Sequence, residues 1–191
     1  MRKIIGLLLV VLKINLSNGQ SDPAIAPYVT FLKEQKQSAK EYILDLFKTH
    51  DLVIICERLH AEFTQYDLFT DIITDKRFID NVGNVFTEIG LSSNDPALNN
   101  FLHTRNLPAD EVKRQVMFFQ RNCSPWPVWS NANYSFLLDK VYVTNNKLPA
   151  AKAVNVYPSD LPFAWTGADS TAMINLRGMM NNRDSLMASQ I

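Results

Sequence analysis

Cysteine is scarce in this chain. Cys56 and Cys123 are the only two among 191 residues, which excludes a disulfide scaffold. Histidine is scarcer than most metal sites require, with His50, His60 and His103 alone. Charge of one sign is missing: 19 basic residues stand against 19 acidic ones. A nucleic-acid binder that works by releasing counterions needs a basic excess, so that class is excluded. Glycine is sparse, at six residues, and no low-complexity linker or internal repeat occurs. No G-x-S-x-G elbow, H-E-x-x-H, P-loop, G-x-G-x-x-G or C-x-x-C occurs. A serine hydrolase of the common kind is therefore not expected. One histidine with scattered carboxylates is not a zinc site by pattern.

What is present suits a globular domain: 47% hydrophobic and 20% charged residues, at a length that supports one core. The apolar run Ile4–Leu12 is nine residues long and follows Arg2-Lys3. A membrane span needs roughly 20. A basic start, a short apolar run and the small residues Ser17 and Gly19 read as a signal peptide over residues 1–19. Residues 20–191 read as a single α/β domain. Removal of Arg2, Lys3 and Lys13 leaves 16 of the 19 basic residues against 19 acidic ones, a net −3. No cysteine follows the apolar run to carry a lipid, so a secreted or periplasmic protein without stable membrane insertion is expected. In that oxidising setting Cys56, inside the apolar run Leu52–Cys56, reads as a buried small hydrophobe rather than a disulfide partner. Asn133-Tyr134-Ser135 matches a glycosylation sequon.

Periodicity alternates along the chain. Residues 28–49 carry apolar side chains at spacings of three and four, which predicts one or two amphipathic helices. Leu52-Val53-Ile54-Ile55-Cys56 is continuous, β-branched and flanked by polar residues, the pattern of a strand buried on both faces. Helical spacing returns over 62–77. Val82–Ile89 reads as a second strand, closed by Gly90. Asp95-Pro96 and Pro108 with Asp110-Glu111 open two further helices. Ser124–Trp129 holds two prolines and reads as an aromatic loop. Another helix is expected over about 134–143, a third strand over Lys152–Tyr157 stopped by Pro158, and a helix over 170–191. That last helix lacks a stop signal, so the chain reads as a fragment of a longer domain. Strands alternating with helices predict a mainly parallel sheet flanked by helices.

Ligands of such sheets bind beyond the carboxyl ends of the strands. Glu57, Arg58, His60 and Glu62 follow the first expected strand, Glu88 ends the second, and Asp160 follows the third. His60 is the natural proton acceptor near neutral pH, with Glu57 or Glu88 fixing its tautomer or holding a water. The alternative is a histidine that bonds locally or caps the next helix. His50 and His103 read as structural. Trp126 and Trp129 either cover a pocket or pack their loop onto the body.

Glu57-x-x-His60, with Glu88 ending the next strand, resembles the erythromycin-esterase-like and ChaN-like haem-binding-uptake group, to which the TraB and Tiki proteins are distantly similar. Glu62-Phe63 resembles the group's E-F pair, Val156–Asp160 a later strand ending in Asp, and Arg183 with Met187-Ala188 a helix further on. The resemblance spans about residues 40–191. Cys56 and Ala61 stand where the group often has glycine, and its members carry further strands and often a second histidine. The resemblance implies a hydrolase for esters, lactones or amides of small molecules. His60 would be the general base, Glu57 and Glu88 would orient it and its water, and Arg58, Glu62, Asp160 and Trp126 would contact substrate. No cofactor is expected on that reading. The relatives imply two alternatives: haem or iron bound through His60, or a divalent metal held by Glu57, His60 and Glu88 in a Tiki-like peptidase.

Overall fold

The computed structural model describes residues 22–125 and 132–191. The expected signal peptide and both Trp126 and Trp129 lie outside the described residues. The chain divides into two units, Met1–Gln37 and Ser38–Ile191. Of the first, the described part holds one helix, α1 (Ala26–Glu34), opened by Pro27 in its first turn. None of its side chains is buried, and Tyr28, Phe31 and Leu32 stand exposed.

The second unit is mixed α/β. Its sheet has two parallel strands, β1 (Asn84–Leu91) and β2 (Asn155–Asp160), with Asn84 opposite Asn155 and Thr87 opposite Pro158. Helices surround it: α2 (Ala39–Leu46), α3 (Phe63–Ile73), α4 (Lys76–Asn81), α5 (Asp95–His103), α6 (Ala109–Arg121), α7 (Asn133–Asn145), α8 (Ser170–Met180) and α9 (Arg183–Ala188). Helix α7 is the central one. It buries Tyr134, Leu137, Leu138, Val141 and Tyr142 along one broad face and touches α3, α5 and α6. The main core gathers these side chains with Leu98, Phe101 and Leu102 of α5, Val116 and Phe119 of α6, and Val154 and Val156. A smaller core of Leu91, Leu161, Phe163 and Leu176 lies past the strand ends. Met179, Met180 and Leu186 pack on it, which seats α8 and α9 there.

Two asparagines close the outer edge of β2. Val156 donates its N–H to Asn99 Oδ1 at 2.9 Å, and Asn99 Nδ2 donates to the Val156 carbonyl at 2.9 Å. Asn145 does the same for Val154, at 2.8 and 2.9 Å, from a fully buried position. Each primary amide thus takes the place of a neighbouring peptide unit and satisfies a buried backbone pair. With that edge filled by side chains, β2 tolerates Pro158 inside the strand, where no N–H is available. The expected stop at Pro158 is therefore corrected: β2 runs on to Asp160.

Three further expectations need correction. Leu52–Cys56 forms no strand. Residues 52–57 have no regular secondary structure and do not join the sheet, and Leu52, Ile54 and Ile55 are exposed. β-branching favours extended backbone, but a strand also requires a partner ladder. Cys56 is accordingly exposed rather than buried, while Cys123 is buried. The single helix expected over 170–191 is two, because Asn181-Asn182 ends α8 and opens α9.

Charge chemistry fixes α4 against α2. Asp75 caps α4 by accepting from the Arg77 N–H at 2.9 Å and binds the Arg77 Nε at 3.0 Å and the Lys40 ammonium at 3.0 Å. Arg77 also forks onto Glu41 of α2 at 2.6 and 2.8 Å. The Arg77 hydrogen bonds, with Lys40 beside them, hold the Asp75 carboxyl well below the usual carboxylate range. Its folded pKa is therefore lower than its unfolded one, so its contribution is complete above the unfolded value and fades as pH falls toward the folded one. Asp75→Asn keeps the capping oxygen and loses the charge. The melting-temperature gap between wild type and Asp75→Asn is expected at pH 7 and shrinks progressively below about pH 4. A gap that stays constant to pH 2 would contradict the assignment.

Candidate functional site

The site is built at the carboxyl ends of the two strands. Glu88 and Asp160 stand there, and Glu57 and His60 lie on the turn that precedes α3. His60 Nδ1 lies 2.6 Å from Glu57 Oε2, and the imidazole is half exposed while the carboxylate is largely covered. The turn is pinned twice. Asn133 at the start of α7 donates to the His60 carbonyl at 2.7 Å, and the Arg58 N–H donates to Gln65 Oε1 at 2.8 Å. His60 does not cap α3, whose N-cap is Glu62. His50, by contrast, turns its Nδ1 back to Thr49 and the Leu46 carbonyl, as a structural histidine does.

Glu88 on β1 and Asp160 on β2 are joined by a cation that the sequence pattern did not single out. Arg183, first residue of α9, donates through Nε to Asp160 Oδ1 at 2.8 Å and through both terminal nitrogens to Glu88 Oε1 at 3.3 Å. Asp160 Oδ1 also accepts the Leu161 N–H at 2.8 Å, and the carboxylate is buried. Asp160, chiefly through its hydrogen bond, holds Arg183 as guanidinium more firmly than usual. A carboxylate that ends a buried strand needs a cation to offset its desolvation, and that need was the available sequence signal.

Tyr66 of α3 links the two halves. Burial first, and the charge of Glu57 next, push its phenol well above its ordinary value, and Glu88 adds to the effect. It stays a neutral hydroxyl between the two carboxylates. Behind it lie Tyr134, pushed upward by complete burial, and Cys123, whose thiol burial pushes up to about 11. At pH 8 only about one Cys123 in a thousand is a thiolate. A thiol reagent should therefore label Cys56 rapidly and Cys123 only after denaturant is added. Two rapidly labelled thiols would place Cys123 elsewhere.

Of the residues chosen from sequence, the structure brings Glu57 to His60 and Glu88 to Asp160. Arg58 points to the surface and pairs with Glu62 at 3.4 Å. Trp126 lies outside the described residues. Two carboxylate oxygens, Glu57 Oε1 and Asp160 Oδ2, are buried with no hydrogen-bond partner among the described residues. Among the described residues no group of three or more histidine, cysteine or carboxylate side chains could hold a metal ion. Among the described residues no helix is long and apolar enough to cross a membrane.

The chain is a mixed α/β protein with a short parallel sheet and, on the turn before α3, a histidine–carboxylate pair. No family model, curated protein or solved structure matches the chain.

Proposed function

We propose that the protein is an exported hydrolase, similar in fold to the erythromycin-esterase-like group, that turns water on an ester, lactone or amide. The observation that carries this reading is the 2.6 Å contact between His60 Nδ1 and Glu57 Oε2 on a half-exposed turn, with Glu57 and Glu88 both acting on Tyr66. Glu57 keeps the proton on Nδ1, which makes Nε2 the basic nitrogen. Nε2 then takes a proton from water as the water oxygen bonds to the substrate carbonyl carbon. The tetrahedral intermediate expels the alcohol or amine, which recovers that proton from His60. Glu57 stabilises the imidazolium that exists between the two transfers, as the third member of a triad does. Glu88, held by Arg183, orients the water. Asp160 holds Arg183 rather than touching substrate.

The test is a panel of esters, lactones and amides run in 18O-enriched water. Turnover of one class is expected, with one 18O in the acid from the first turnover onward. If Glu57 or Glu88 attacked as a nucleophile, the first turnover would deliver an unlabelled protein oxygen instead. No turnover of any class would remove the reading.

A further inference from the structure

An apolar groove begins where the His60 turn ends. It has a volume of about 720 Å3 and runs between the start of α3, α6 and α7. Phe63, Val112, Val116, Met117, Phe136 and Val143 form most of its wall. Phe63 lies three residues beyond His60, and its ring stacks obliquely on Phe136 with centroids 4.6 Å apart. Asn133, one helical turn before Phe136, is the residue that holds the His60 carbonyl. The end of the groove and the support of the turn are thus the same two stretches of chain. The charged residues that line it are Lys113 and Asp139, of opposite sign, so the groove has no net charge to offer an ionic occupant. Its volume suits a small ligand and its wall suits hydrocarbon.

We propose that this groove binds the unbranched alkyl arm of the substrate, so that the ester turned over at His60 is one of a medium-chain acid or alcohol. The proposal rests on the hydrolase reading above and adds a chain-length preference to it. Each methylene moved from water onto the wall contributes about fourfold in affinity.

The experiment uses the full chain and its His60→Ala variant, with 1-hexanol, 1-octanol and 1-decanol as probes in calorimetry. Affinity should rise about fourfold per added methylene in both proteins. Val143→Trp, at an exposed rim position, should fill the groove and weaken 1-decanol by at least about tenfold. Ala132→Trp serves the same purpose should that variant melt early. Affinities that do not depend on chain length, or that neither substitution changes, overturn the proposal. So does 1-decanol binding that falls as protein concentration rises, which would mean a second copy covers the groove. Alkanol binding that follows the expected pattern without turnover of any decanoyl ester would uphold the groove and remove the hydrolase reading, so the two fail separately.

Discussion

His60→Ala should lower kcat/KM for the hydrolysed substrate by about 100-fold or more, with the fold retained. General-base removal costs about 100- to 10,000-fold. The fold should survive because the imidazole is half exposed and because Asn133 holds the main chain of His60, not its ring. Glu57→Gln should cost on the order of 100-fold for a different reason. The glutamine amide would donate to Nδ1, move the ring proton to Nε2 and leave no basic nitrogen facing the water. The exchange also removes the charge that His60 and Tyr66 face from a largely covered position, so it changes stability as well. Circular dichroism and melting temperature separate that cost from the kinetic one. Unchanged turnover in both variants would take His60 out of the chemistry.

Gly90→Ala should be the most damaging small substitution for stability. Gly90 sits at φ +111°, which side chains other than hydrogen rarely accept. A Cβ there would lie 2.5 Å from the Pro158 Cβ and 2.8 Å from the Tyr134 hydroxyl. Neither neighbour can retreat: Pro158 is a rigid ring in the adjacent strand, and Tyr134 is buried in the core. Backbone strain of about 1–3 kcal/mol and overpacking of about 1–3 kcal/mol add to a loss of about 2–6 kcal/mol. For a chain of this size the melting temperature should fall on the order of 10 °C. Gly90 also donates its N–H to the Cys123 carbonyl at 3.0 Å, at the point where the β1–β2 register shifts. A variant that melts with wild type would mean that this crossing of strand, proline and tyrosine is far softer than its packing indicates.

The helices were legible because their signals are local. Pro108 before Asp110-Glu111 gave the start of α6 to within a residue, and apolar spacing gave α3 and α7. The two strands that pair were also legible, since Val85, Ile89, Val154 and Val156 alternate or cluster as buried strands do. Leu52–Cys56 was misread because composition reports how a segment fits a pleated surface, not whether a neighbour is there to pair with it. In the site, Glu57 with His60 could be read because the two groups lie three residues apart on one turn. Arg183 could not, because its partners lie 23 and 95 residues away and only the packing of α9 on the small second core brings it back. Tyr66 looked like any core position of an amphipathic helix, and its role depends on what stands opposite its hydroxyl.

The amides of Asn99 and Asn145 have a consequence for how the molecule meets other chains. An unpaired strand edge is a template that can recruit any extended segment. On β2 that template has already been copied by side chains, so a newcomer finds its donors and acceptors taken. Among the described residues β1 is the other outer strand of this sheet, so a strand added there would lie beside the one that carries Glu88 and its contact with Arg183.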